Sequence, residues 1–156
     1  MARRPKEPEP ASASLSAHEM RQGIERLQRR IAELEAFDPR SVQKRWSPEV
    51  EALQAAIDEA LGRTFGHGTV QYNRYSSAAQ LDSAPVIMGG GDPHISEVHR
   101  YLTEDKARSL ALLKQAVRGL QEDLADSGGT ADRELPVLHL AQAGSDFHSP
   151  KGGCNV

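Results

Sequence analysis

Apolar residues recur along this chain at helical spacing, and the recurrence marks out three amphipathic segments separated by stretches without period. Met20, Ile24, Leu27, Ile31 and Leu34 alternate steps of four and three, a heptad seam that predicts a helix from Ser16 onward. Good helix formers fill the positions between them (Glu19, Arg21, Glu25, Gln28, Glu33), and Glu25 to Arg29 is a favourable i,i+4 ion-pair orientation. Asp38-Pro39 ends the run, because the proline ring disfavours the α conformation at the residue before it. A second helix is announced by Ser47-Pro48-Glu49, with Ser47 as N-cap, Pro48 at the first helical position and Glu49 facing the positive end of the dipole. Its stripe is Val50, Leu53, Ile57, Leu61 and Phe65, closed by Gly66 and Gly68.

Residues 66–91 lose the helical period. Tyr72, Tyr75, Leu81, Val86, Ile87 and Met88 anchor a segment rich in Gly, Ser and Ala, and Thr69, Val70 and Tyr72 suit a short extended stretch. A connection this long is unusual in a compact domain, so part of it is expected to drape across the helices. The third helix is expected to start with Asp92 as N-cap and Pro93 at the first helical position. Val98, Leu102, Leu110, Leu113, Val117, Leu120 and Leu124 carry its stripe to about Asp126, with Ser127-Gly128-Gly129 as the stop. The step of eight from Leu102 to Leu110 predicts that the stripe slips around the helix there. Beyond it lie one apolar patch, Leu135 to Leu140, and a Gly/Ser/Pro tail.

These elements predict an all-α fold: a three-helix bundle, or a helical hairpin plus a crossing helix, over residues 16–126. A disordered leader (1–15) and a flexible tail (127–156) flank it in this reading. Aromatic residues are only 4% of the chain, so burial is expected along helix-on-helix seams rather than in a thick core. The net charge of −3 gives no global field toward nucleic acid or anionic membrane. The charged, proline-bearing stretch Met1 to Pro10 matches neither a signal peptide nor a membrane span. A lone cysteine, Cys154, fits a reducing compartment. The expected location is the cytoplasm, with no membrane partner, nucleic acid disfavoured, and no cofactor.

Candidate chemistry is sparse. Met20, Ile24, Leu27, Ile31 and Leu34, with Leu110, Leu113, Val117, Leu120 and Leu124, form the candidate interaction seam. Ile24 and Ile31 at a with Leu27 and Leu34 at d would suit a parallel dimer, with Arg30 and Glu35 as a complementary g-to-e′ pair. The seam spans fewer than three heptads, which favours packing within the chain against the third helix. Gly89-Gly90-Gly91 ahead of a helix start could cradle an anion, but no Lys follows at the phosphate-loop position and Asp92 brings negative charge, so a linker is favoured. Arg40, Lys44 and Arg45 beside Trp46 form one small cationic patch, read as an internal charge network with Trp46 as a lid. Of the six histidines (His18, His67, His94, His99, His139, His148) no two are spaced i,i+4 to share a metal on a helix face, and His139, His148 and Cys154 lack close ligand pairs. Nothing positions Cys154 or a serine beside a base, so no enzyme is expected.

The order of these features resembles a known family. A heptad helix ending at Leu34-Glu35-Ala36 is followed by Trp46-Ser47-Pro48-Glu49, a helix closing on Phe65-Gly66, then Tyr72 and Tyr75. The final helix carries Ala111-Leu112-Leu113-Lys114 and Leu120-Gln121-Glu122-Asp123-Leu124. Over residues 20–126 this is similar to the N-terminal helical region of bacterial proteins with a C-terminal TIR-like, nucleotide-binding domain. The resemblance implies a helical part that arranges or senses, a TIR-like part that cleaves a nicotinamide nucleotide, and a link to antiphage defence. Only 30 residues follow Asp126, too few for that domain, and Pro136-Val137-Leu138-His139-Leu140 stands where its first strand would start. No catalytic residue carries over. The expectation is a non-catalytic oligomerisation or regulatory module whose partner is protein, either a second copy or another helical chain. Two alternatives are a nucleotide-processing enzyme or nucleotide sensor using residues 89–91, and a weak nucleic-acid binder through Arg40, Lys44 and Arg45.

Overall fold

Ser16 decides where the first helix begins. Its hydroxyl accepts the Glu19 amide at 3.3 Å while the Glu19 carboxylate accepts the Ser16 amide at 2.8 Å, so two donors that a helix start leaves orphaned are satisfied reciprocally. The hydrogen bonds from the Ser16 side chain and backbone hold the Glu19 carboxyl below its usual range. From this cap α1 runs over Ala17–Ala36. Ser47 caps α2 (Pro48–Phe65) in the same way, accepting the Val50 amide at 3.4 Å, and Gly66 closes it at φ +82°, a conformation that side chains with a Cβ rarely adopt. After α3 (Val70–Tyr75) and a 3-10 turn at Ser76–Ala79, the long α4 spans Ile95–Ala131. A second 3-10 turn, Pro39–Ser41, lies between α1 and α2. The computed structural model describes residues 8–85 and 89–131, with side chains through Gly128. Among the described residues the fold is all-α.

The core sits where α1 meets α4 and α2. Leu27 and Leu34 from α1, Ile57 and Leu61 from α2, and Leu102, Leu113 and Leu120 from α4 are fully buried. Each is worth about 1.5–3 kcal/mol relative to an exposed position. Helices α1 and α4 run antiparallel: Gly23 near the start of α1 lies against Leu120, and Glu35 near its end pairs with Lys114 at 3.0 Å. Gly23 also lies against Thr64 of α2. A Cβ there would stand 2.6 Å from the Thr64 methyl, so a side chain at this position would displace Thr64 or part the helices.

Several expectations need correction. Residues 69–72 are not extended. Thr69 caps α3 instead, accepting the Tyr72 amide at 3.1 Å. A lone strand would leave its ladder groups unmet, whereas one helical turn satisfies them internally. Helix α4 begins at Ile95 rather than behind Asp92-Pro93, with the His94 carbonyl accepting the Glu97 and Val98 amides at 2.8 and 3.2 Å. It also continues through Ser127-Gly128-Gly129, helped by the Ser127 hydroxyl donating to the Asp123 carbonyl at 2.8 Å. Nor does its stripe slip. Val98, Leu102, Asp105, Ser109, Leu113, Ala116 and Leu120 are buried in an unbroken helical series, and two polar residues fill the gap seen in sequence. Part of the expected leader is tied down: the Ala11 carbonyl accepts the Val70 amide at 3.1 Å, and the Ala13 amide donates to Gln71 at 2.8 Å. The remaining leader residues, 1–7, and the tail from 132, with the patch at Leu135 to Leu140, His139, His148 and Cys154, lie outside the described residues, as do Val86, Ile87 and Met88.

Candidate functional site

The connection from α1 to α2 carries the one residue with a side chain that takes a positive φ among the described residues. Trp46 has φ +60°, and among the described residues it is the one large hydrophobic side chain left exposed, at 57%. A bulky residue in the left-handed region costs on the order of 1–3 kcal/mol and persists only where its surroundings over-determine it. Both neighbours do so here. Ser47 is buried and fixed as the α2 cap. Arg45 turns inward, its side chain 6% exposed, and its Nε donates to Asp82 at 2.9 Å, an ion pair whose partner is equally buried. Its two terminal nitrogens donate to the Ala84 and Pro85 carbonyls. The guanidinium also lies 4.7 Å from the Trp46 ring centroid, a cation–π distance. Beneath the indole, Val42, Val50, Val98 and Leu102 line a crevice with about 10 Å³ of space. That admits at most one water molecule, so the feature is a displayed ring and not a ligand pocket.

The sequence-selected residues distribute around this feature as follows. On the seam, Leu27, Leu34, Leu113, Val117 and Leu120 are buried in the chain's own core, while Met20, Ile24, Ile31 and Leu110 are partly buried against it and Leu124 is half-exposed. The Arg30–Glu35 pair set aside for a second chain is used internally, Arg30 with Glu33 at 3.0 Å and Glu35 with Lys114 at 3.0 Å. Arg40, Lys44 and Arg45 do not form one cationic face: Arg45 is spent on Asp82, and Arg40 lies instead beside His99 and Arg100 over a shallow surface depression. Gly89 and Gly91 stand open, with no atom within 4 Å of where a Cβ would be, and three residues separate Gly91 from the start of α4. His18 hydrogen-bonds Gln22, His94 bonds Ser96, and His99 Nε2 donates to the Val42 carbonyl at 2.7 Å. His67 packs on Tyr72, their rings 4.8 Å apart, and Tyr72 donates to Asp58 at 2.6 Å, which raises the phenol's pKa. No group of three or more metal-ligating side chains is found among the described residues. Nor is any helix there long and apolar enough to cross a membrane.

One charged surface went unnoticed in the sequence. Arg26, Arg29 and Arg30 of α1 share a groove with Arg63 of α2. Their spacing of three and four was the available signal. Glu25 was expected to occupy Arg29, but no ion pair joins them. No family model, curated protein or solved structure matches the chain.

Proposed function

We propose that this chain is a non-catalytic helical oligomerisation module, and that Trp46 is the centre of the contact between copies. The observation that carries the reading is an exposed tryptophan held at a positive φ between two buried anchors. Tryptophan is enriched among residues that dominate interface energetics, and a strained residue kept in place against its own preference motivates a functional role. A two-fold contact needs a self-complementary patch. The indole and the guanidiniums of Arg40 and Arg100 stand at the same end of the bundle, because Val42 joins the indole's crevice to His99. Ring faces and guanidiniums attract each other, so one copy's ring can meet the other's cations. The heptad seam plays no part in this contact, since Leu27 and Leu34 have no exposed surface. In the setting that the resemblance implies, such a module would gather TIR-like domains in bacterial antiphage defence.

Trp46 is the single tryptophan in the chain, so its emission reports on this contact alone. Sedimentation of the full chain is expected to show a concentration-dependent dimer, with the emission shifting to the blue as it forms, and Trp46→Ala is expected to abolish the dimer. A monomer at high micromolar concentration with unshifted emission overturns the proposal.

A further inference from the structure

The groove between α1 and α2 concentrates positive charge that the fold leaves only half neutralised. Four guanidiniums line about 190 Å³ of open space, Arg26, Arg29 and Arg30 from α1 and Arg63 from α2, over a floor kept low by Ala56 and Ala60. Glu33 takes Arg30 at 3.0 Å and Glu59 takes Arg63 at 2.6 Å, so four positive charges less two negative leave two. Arg26 is oriented by a neutral oxygen: it donates to the Thr64 hydroxyl at 3.2 Å, and that hydroxyl in turn donates a hydrogen bond to the Ala60 carbonyl at 2.7 Å. Arg26 is thus aimed without being neutralised. The Arg30 Nε is buried and has no acceptor. Like charges three and four residues apart on a helix repel, and a buried donor left unmet destabilises the fold further. An oxyanion seated among these groups would relieve the repulsion.

We infer that this groove binds the phosphoryl group of a small molecule. A phosphate monoester carries about −1.5 to −2 charge at neutral pH and three acceptor oxygens, which matches the residual charge of the groove. Guanidinium forks suit that geometry. The space is smaller than the roughly 300–1,000 Å³ of pockets that enclose a drug-sized ligand, so the phosphoryl group is held while the rest of the molecule stays outside. A nucleic-acid strand would need cations continuing along a face. Here the surface next to Arg29 instead brings Glu25, Gln28 and Ala32.

The test is thermal unfolding of the full chain with inorganic phosphate, at ionic strength matched by chloride, together with phosphorus-31 line broadening. Phosphate is expected to raise the melting temperature beyond the chloride control, because binding to the folded state stabilises it. Arg29→Gln and Arg63→Gln are each expected to weaken binding by about three- to tenfold, the range for a screened charge-assisted hydrogen bond, and the double variant to remove it. Arg29 is exposed and the Arg63 side chain is 68% exposed, so these variants keep the fold. Trp46→Ala is expected to leave phosphate binding intact, which separates this site from the oligomer contact. An equal effect of chloride, binding undiminished in the double variant, or binding of a DNA oligonucleotide that inorganic phosphate does not displace would each overturn the inference.

Discussion

The two ends of the bundle are held together by different physics. At the end where α1 starts, Leu27, Leu61, Phe65 and Leu120 belong to the apolar core, and the contact is non-directional. At the end where α1 stops, irregular chain lies over the helices and charged side chains reach across to hold it. Lys106 donates to the Glu35 and Phe37 carbonyls at 3.1 and 2.6 Å, and Arg108 donates to Gln80 at 3.2 Å. Asp105 accepts both the amide and the hydroxyl of Ser83 at 2.7 and 3.0 Å, and Arg45 takes Asp82 and two further carbonyls. Irregular backbone cannot satisfy its own hydrogen bonds, so side chains supply the partners that a helix would have supplied internally. The apolar end needs volume of about the right shape, and the other end needs particular atoms in particular places.

Breaking the pinned end should therefore give the largest effect. Asp82→Ala leaves the Arg45 guanidinium buried without its carboxylate, and removing one partner of a buried pair costs about 3–5 kcal/mol. It should also free the Trp46 backbone from its anchor, so tryptophan emission and denaturant stability change together. Leu120→Ala at the packed end should cost about 2–5 kcal/mol while leaving native-state Trp46 emission as it is. If both variants perturbed Trp46 alike, the distinction between the two ends would fail.

This division also explains what the sequence made legible. The apolar end announces itself through periodicity, because its signal is local: the steps of four and three in α1 and the Ser47-Pro48 start of α2 need only a few neighbouring residues to be recognised. The pins are invisible to that method. Arg45 and Asp82 are 37 positions apart, and Lys106 and Phe37 are 69 apart, so no window contains both partners. For the same reason the step of eight from Leu102 to Leu110 looks like a slip of the α4 stripe, whereas the buried Asp105 and Ser109 continue it. Asp105 belongs in the core because Ser83 arrives to meet it and Arg108 pairs with it at 2.7 Å. The candidate site shows the same limit. Trp46 could be noticed from sequence, but its positive φ follows from anchors brought together by the fold, and the arginine groove needed Arg63 from another helix.

Ser109 sharpens the comparison at its boundary. It lies between the pinned and packed regions of α4 with no exposed surface, and its hydroxyl has no hydrogen-bond partner. Burying a hydroxyl without compensation costs about 1–3 kcal/mol in proteins. Ser109→Ala removes that penalty and leaves a void smaller than one methyl group. The expected result is a gain of up to about 1 kcal/mol, measured by urea unfolding. A clear loss would mean that the hydroxyl is satisfied in solution, and that the polar network reaches further into α4 than Asp105.

The smallest effect is expected where a polar tie serves the packed end. Tyr72 on α3 donates to Asp58 on α2 at 2.6 Å, and this hydrogen bond, followed by desolvation and the carboxylate's charge, raises the phenol's pKa above its usual 10.0. A raised folded-state pKa means that the folded chain holds the proton more tightly than the unfolded chain. The stabilisation is therefore fully present below pH 10 and is lost as pH rises through the folded value. Tyr72→Phe should cost about 0.5–1 kcal/mol near neutrality, the low side of a typical hydrogen bond, because Tyr72 is only half-buried. The two proteins should then converge in stability as pH climbs above 10, since the wild type forfeits the interaction that the variant never had. A gap that stayed constant across that range would show that packing of the ring, and not its proton, joins α3 to α2, and the packed end would then contain no directional contact at this joint.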